Sequence, residues 1–413
     1  MKSTLRVLVW TALVLALSLV FADPNEASAK DFKDVSKKHP NYTAIQEMQK
    51  AGYITGYPDG TFRPGEPVSR KHVASLLDQV LKFPQPPTDK LVFTDVPKNH
   101  MYYKPIMKLY NKGIISGGMD GKFNPNASIT RIQMAKMLDL AFELNMKEPA
   151  QFEDLHFLHW GYVHASALYS NGVTKGDKGK FLPNQSVTRA HYAEFLYRAM
   201  KVGKSPSGSS VTKEKAVDLS MRLPIVIEGI RIQGKMDNKT YNQLRSKQLP
   251  YATKAFVDGL LKEDYPDVCT QCDSFLFPYL TIEPSMRFDY KQPDANTLQV
   301  HTASFSNVLS SGGFVDYAFK KESGSWKMDD FVWTEVGKKN FELTKAEAER
   351  VVKLNYAYSY SSNVKITYVS QAKKTGEDPV TKEKYPFTEY KFTVDTKDGR
   401  DTVLVNSDDG MAY

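Results

Sequence analysis

Apolar residues in the first half of the chain recur with a helical period, and the pattern occurs three times. In "YTAIQEMQKAG", Tyr42, Ile45, Met48 and Ala51 fall at three-residue steps that suit one buried helical face. Gly52 then supplies a residue able to take the left-handed conformation that ends a helix. The run "YPDGTFRPGEP" reads as a turn-rich loop. After it, "SRKHVASLLDQVL" predicts a second helix, with Ser69 as N-cap and Val73, Leu76, Leu77 and Val80 at the i, i+3, i+4, i+7 positions of an amphipathic face. The same helix, glycine stop, loop and helix restart at Phe93 and at Phe152, where Phe32 began the first copy.

The register holds at every landmark. Asp34, Asp95 and Asp154 each stand five residues before His39, His100 and His159, which stand three before Tyr42, Tyr103 and Tyr162. Gly52, Gly113 and Gly172 follow those tyrosines by ten, and Arg70, Arg131 and Arg189 open the second helices. Phe62, Phe123 and Phe181, eight residues before the arginines, are expected to plug each loop into the core. One helix pair cannot bury its own apolar face, so three copies should pack together.

The texture changes after "GKSPSGSS", a flexible linker by composition. "KTYNQLRSKQLPYATKAFVDGLLKEDY" contains helical segments, and "SMRFDY", "TLQVHTASF", "GGFVDYAFKK" and "WKMDDFVWTEV" read as strands, the last two joined by a hairpin at "ESGS". Helices followed by a meander predict an α+β arrangement in which helices cover a curved sheet. A further unit begins near Leu343, where Thr344 and Glu347 form a capping box before an apolar run. Strands "NVKITYVSQ" and "EYKFTVDTKDGRDTVLVNS" follow, the second turning at Asp398-Gly399. The expected organisation is residues 1–29, 30–90, 91–149, 150–202, a linker at 203–211, then 212–338 and 339–413.

Composition adds a compartment and a sign. The chain has 413 residues, 41% hydrophobic and 25% charged, with a formal charge of +8, which favours an anionic partner such as nucleic acid, an acidic glycan or anionic lipid. "MKSTLR", fifteen largely apolar residues and "ASA" at Ala27–Ala29 make the three-part pattern of a secretory signal peptide cleaved after Ala29. A mature chain outside the cytoplasm is not expected to meet nucleic acid or to stay in the membrane.

The charge is oddly placed. Arg70, Lys71 and His72 occupy the first turn of a helix, where each cation costs roughly 0.3–1 kcal/mol against the macrodipole. An arginine beside a helix N-terminus is a carboxylate receptor: its planar fork matches a carboxylate, and free backbone N–H groups point the same way. The alternative is that each arginine pairs with Asp34, Asp95 or Asp154 of a neighbouring repeat and only fastens the domain. One in-register histidine per repeat, His39, His100 and His159, with no cysteine beside it makes a metal site unexpected, and no cofactor is called for.

The "FxDV…H…Y…G…G.F.P…(S/T)R" pattern resembles the S-layer homology repeat, in three consecutive copies over about residues 30 to 200. The resemblance implies an all-α, pseudo-threefold module that holds secreted proteins to Gram-positive walls by binding a pyruvylated, hence anionic, secondary cell-wall polysaccharide. It implies a glycan-contacting set of Arg70, Arg131 and Arg189 with Ser69, Thr130, Thr188, Trp160, Asp34, Asp95 and Asp154. The family's Thr-Arg-Ala-Glu motif stands here as "SRKH", "TRIQ" and "TRAH", so the arginine is kept and the glutamate replaced by His72, Gln133 and His191. Only Gln133 can complete a capping box. The aromatic that follows the first-helix histidine survives as Trp160, against Pro40 and Met101. That makes the third repeat, with Arg189, the expected best site. His39, His100 and His159 are expected to be packing residues, and the repeated tyrosines core.

Residues 212–338 weakly resemble the NTF2-like scaffold in element order, and 339–413 vaguely resemble PepSY-like modules. His301 is the only histidine there, no GxSxG, HExxH or P-loop is present, and Glu283, Asp289 and Asp316 are carboxylates of unknown separation, so no catalytic residue is assigned. Cys269 and Cys272 in "CTQC" suit a short local disulfide outside the cell, with a redox dithiol as the alternative. The expected function is non-covalent wall anchoring of a displayed α+β half. The alternative is a wall-localised enzyme such as a glycan hydrolase, and a ligand-binding or protease-regulating module is a third possibility.

Overall fold

The computed structural model describes residues 31–413 except 86–91, 119, 204–209, 269, 271–275, 278–281, 283, 285, 306–311, 337–340, 358–363, 378–381 and 397. The expected signal segment, most of the linker, both cysteines and Glu283 therefore lie outside the described residues. Contacts divide the chain into two compact units. One comprises residues through Leu109, Gly121–Ser128 and Val187–Tyr197; the other comprises Tyr110–Asp120, Ile129–Ser186 and Arg198–Tyr413. Among the described residues no helix is long and apolar enough to cross a membrane.

Each repeat contributes the expected helix pair: α1 (Tyr42–Lys50) and α2 (Arg70–Leu81), α3 (Tyr103–Asn111) and α4 (Arg131–Phe142), α5 (Tyr162–Ser170) and α6 (Arg189–Val202). α1 buries Ala44, Ile45 and Met48, and α2 buries Val73, Ala74 and Leu77, with Leu76 and Val80 half-buried at the edge of the stripe. Gly52, Gly113 and Gly172 end the first helices at φ 72°, 69° and 70°, where a Cβ would be strained.

The loop between the helices is pinned by its aspartate. Asp34 accepts from the backbone N–H of Phe62 and Arg63, both at 2.7 Å. Asp95 does the same for Phe123 and Asn124, and Asp154 for Phe181 and Leu182. The second residue of each pair sits in the left-handed region, Arg63 at φ 58°, Asn124 at 57° and Leu182 at 58°. Leucine and arginine are strained there, whereas asparagine tolerates it. Replacing Leu182 with Asn, the residue the second repeat uses, should therefore stabilise the chain by roughly 0.5–1 kcal/mol. A lower melting temperature for that variant would mean that the lost leucine packing outweighs the relief of strain.

In the second half α7 (Lys213–Met236), α8 (Tyr241–Gln248), α9 (Lys254–Asp258) and α10 (Leu260–Asp264) precede β1 (Phe288–Asp294), β2 (Thr297–Ser304), β3 (Gly313–Glu322) and β4 (Ser325–Glu335). The four strands form one antiparallel meander in chain order, and α7 packs on β2 and β4. At the "ESGS" hairpin Ser323 and Gly324 have φ 51° and 83°, the two positive values that a two-residue type I′ turn needs.

α11 (Lys345–Ala357) then precedes a three-stranded antiparallel sheet of β5 (Lys365–Glu377), β6 (Lys384–Thr396) and β7 (Gly399–Asn406). Its capping box is formed: Thr344 N–H donates to Glu347 at 2.8 Å and Glu347 N–H to the Thr344 hydroxyl at 3.3 Å. Residues 212–338 and 339–413, expected as successive domains, share one core. Ala303 and Phe314 of the first sheet, with Phe305 just past β2, pack with Phe341, Leu343, Val351, Val352, Phe392 and Val405.

Candidate functional site

Each conserved-register arginine reaches into the loop of another repeat. Arg70 donates from Nε to the Phe123 carbonyl at 2.8 Å, Arg131 to Phe181 at 2.7 Å, and Arg189 to Phe62 at 2.7 Å. Each guanidinium also lies over the ring of the same phenylalanine, at 4.6, 5.2 and 4.5 Å respectively. The aspartates meet the arginines only indirectly: Asp95, Asp154 and Asp34 hold the N–H of the phenylalanine whose carbonyl the arginine holds. Among the described residues Arg70 and Arg189 make no ion pair. Each arginine thus fastens its helix start to the loop of another repeat through a carbonyl and a ring, not through an aspartate.

The backbone N–H groups expected to be free at these helix starts are occupied. Arg70 and Lys71 donate to Ala127 and Pro125 carbonyls, Arg131 and Ile132 to Gln185 and Pro183, and Arg189 and Ala190 to Glu66 and Pro64, all at 2.8–3.1 Å. The loop that follows each gripped phenylalanine turns two carbonyls onto the first helical turn. This correction also explains the tolerated cations, because the helix end is already answered by carbonyl dipoles. At the caps, Thr130 and Gln133 form the expected box, the Ser69 hydroxyl meets His72 Nδ1 at 3.0 Å, and the Thr188 hydroxyl accepts from His191 N–H at 3.3 Å.

The aromatic position is exposed in all three repeats: Trp160 at 55%, Met101 at 84%, and Pro40. Trp160, however, does not belong with Arg189. Gly161 presses on the first turn of α4 so closely that a Cβ there would lie 2.2 Å from Ile132 Cγ1. Trp160 therefore stands at the helix start that carries Arg131. The preceding junction is built alike, with Tyr102, next to Met101, set 5.4 Å from the His72 ring and 5.5 Å from Lys71 Nζ at the start of α2. The pairing crosses repeats, so Trp160 does not support Arg189 as the expectation of a best third site assumed. Gly161, standing where the other copies have Asn41 and Tyr102, was the one sequence signal of such an approach.

The S-layer homology domain family matches residues 31–74, 92–135 and 158–193. The chain is a protein with three S-layer homology domains. It is 32% identical over 228 residues to an S-layer protein of Bacillus thuringiensis subsp. finitimus, covering 52% of this chain and 28% of that protein. It is 38% identical over 194 residues to an uncharacterized cell wall amidase of Bacillus anthracis, covering 45% and 35%. A cellulosome-anchoring protein of Acetivibrio thermocellus is 31% identical over 160 residues, covering 37% and 36%. The chain thus spans only about a quarter to a third of the length of these relatives.

The three S-layer homology junctions differ in chemistry. At the third, Arg189 Nη2 donates to Thr55 at 3.1 Å and its guanidinium faces Tyr57 at 5.1 Å, while Arg63 covers Tyr57 at 3.8 Å. Tyr57, Arg63 and Tyr102 were not anticipated, because the loop residues read as turn formers and Tyr102 stands where the other copies have Asn41 and Gly161. Burial pushes all three arginines below their ordinary pKa, and nearby carboxylates partly oppose this.

His72 is held below its ordinary 6.5 by burial first, then by Lys71 and Arg189. Protonating it therefore opposes folding, so its share of stability is present above 6.5 and lost as pH falls below that value. A bound anion acts the other way by favouring the charged ring. Binding of an anionic ligand should strengthen as pH falls below 6.5 in the wild type and lose that dependence in His72→Ala, as measured by titration at several pH values.

In the distal half the open face of β1–β4 holds a cavity of about 340 Å³. Asp289 and Asp316 both lie opposite His301 in the register, and His301 Nδ1 meets Asp316 Oδ1 at 2.7 Å with its ring stacked on Phe314 at 5.6 Å. The two carboxylates of unknown separation are thus neighbours of the one histidine. Among the described residues no group of three or more His, Cys, Asp or Glu side chains is placed to hold a metal ion.

Proposed function

We propose that the three S-layer homology repeats anchor a secreted chain non-covalently to the Gram-positive cell wall by binding an anionic, pyruvylated secondary polysaccharide, with the α+β half displayed outside. The observation that carries this reading is the fixed guanidinium of Arg70 and Arg189. Each is tied by Nε and stacked on phenylalanine, with no ion pair among the described residues to cancel its charge. A fixed cation costs little reorganisation when a carboxylate arrives. Trp160 beside the Arg131 helix adds an exposed ring on which a sugar face can stack. Ser69 and Thr130 stand at the same helix starts, whereas the aspartates act by shaping the loops.

The full chain should sediment with purified walls and stay in solution once the pyruvate ketals have been removed by mild acid. Sedimentation with both preparations would reject the carboxylate clamp and leave anchoring to another wall feature.

A second reading, a wall-acting enzyme, has one structural foothold in the His301–Asp316 pair within its cavity. Wild type and His301→Ala should release equal, background amounts of sugar and peptide from walls. Release by the wild type that His301→Ala abolishes would assign catalysis to that face.

A further inference from the structure

Two aspartates in equivalent positions are neutralised in different ways. Asp78 follows Arg70 by eight residues, as Asp139 follows Arg131. Asp78 is answered from within the repeats by Lys108 of α3, whose Nζ donates to both carboxylate oxygens at 3.0 and 2.9 Å. The residue matching Lys108 in the third repeat is Ala167, five after Tyr162 as Lys108 is five after Tyr103. Asp139 is nevertheless only 2% exposed, and a buried carboxylate needs a cation.

That cation comes from the distal half. Arg222 of α7 donates to the two Asp139 oxygens at 2.7 and 3.3 Å and to the Leu144 carbonyl at 2.9 Å. Its Nε donates to Asp218 at 2.7 Å. Asp218, itself 1% exposed, also accepts from Met146 N–H and from Lys215, both at 2.9 Å. The remaining partner of Asp139 is His164, at 2.6 Å, one helical turn beyond Trp160 and with its ring 6.5 Å from the indole. A polar path therefore runs from α7 through Asp139 to His164, whose ring packs edge-on against the Trp160 indole.

We propose that Arg222 is a positioning residue for the Arg131–Trp160 glycan site, so that the wall anchor is completed by the first helix of the half it displays. The proposal rests on the anchoring reading. Without Arg222, Asp139 keeps only His164 among the described residues, and the α4–α5 contact beside Trp160 is left with the Gly161–Ile132 packing and no charged tie.

The test is a set of binding cycles on the full chain with purified walls, alongside melting temperatures. Arg222→Met and Trp160→Ala should each weaken binding roughly tenfold, and the double variant should bind no worse than either alone. Arg222→Met combined with Arg189→Ala should show the product of the two separate losses. Adding Ala167→Lys, which recreates the Lys108 arrangement, should recover binding in the Arg222→Met background. If Arg222→Met melts too low to be read, Arg222→Lys, which keeps the charge but loses the fork, carries the same cycle. Losses for Arg222→Met and Trp160→Ala that multiply, or wall binding unchanged in Arg222→Met and in Arg222→Lys, would overturn the proposal. Binding that is indifferent to Trp160→Ala, Arg131→Ala and Arg189→Ala alike would instead sink the arginine-clamp reading of the anchor and this one with it.

Discussion

Replacing Arg131 by Met will weaken wall binding more than the same change at Arg70 or Arg189, by at least about tenfold, or roughly 1.4 kcal/mol. Its helix start is the one at which the exposed indole of Trp160 stands. The variant will also be less stable. Arg131 is only 7% exposed, and its Nε is bonded to the Phe181 carbonyl. Stranding a buried carbonyl costs about 1–3 kcal/mol, and the lost stacking on Phe181 adds to it. Binding isotherms and thermal melts on the three single variants separate the two effects. Equal binding losses at the three arginines would show that Trp160 contributes nothing.

Among the three loop aspartates, Asp154→Ala should be the most damaging change, although that side chain lies outside the grip itself. Removing it strands two N–H groups, those of Phe181 and Leu182, and releases a leucine held at positive φ. A loss of roughly 2–3 kcal/mol is expected, visible as a melting temperature lower by several degrees. Because Phe181 is what Arg131 grips, wall binding should fall with it. Asp34→Ala frees Phe62 instead and should impair the Arg189 junction while leaving the Arg131–Trp160 junction intact. Matching binding losses in the two variants would argue that the junctions do not act separately.

What was legible in the sequence was local. Glycine stops, the Thr130–Gln133 and Thr344–Glu347 boxes and the Ser323-Gly324 hairpin each depend on residues within a few positions of one another, so a linear pattern carries them. The cross-repeat pairing of Trp160 with Arg131 depends on which loop packs on which helix, and spacing is silent on that. Arg222 was invisible for another reason. A charged residue in a helix that follows a linker reads as solvated, and only packing against α4 and α5 reveals a buried fork. The shared core of Phe314, Phe341 and Phe392 escaped likewise, because each phenylalanine fits a plausible core of its own.

The grip of Arg189 on Phe62 joins residues 127 apart in the chain. A chain emerging N-terminus first can form α1, the first loop and α2 early, yet the Phe62 carbonyl must wait for the third repeat before its guanidinium arrives. Contacts of such long sequence separation are late and slow to form. The first repeat is therefore finished last, and a chain released before residue 189 should hold its opening loop unclasped, an incompletely folded species exposed to the proteases of the envelope.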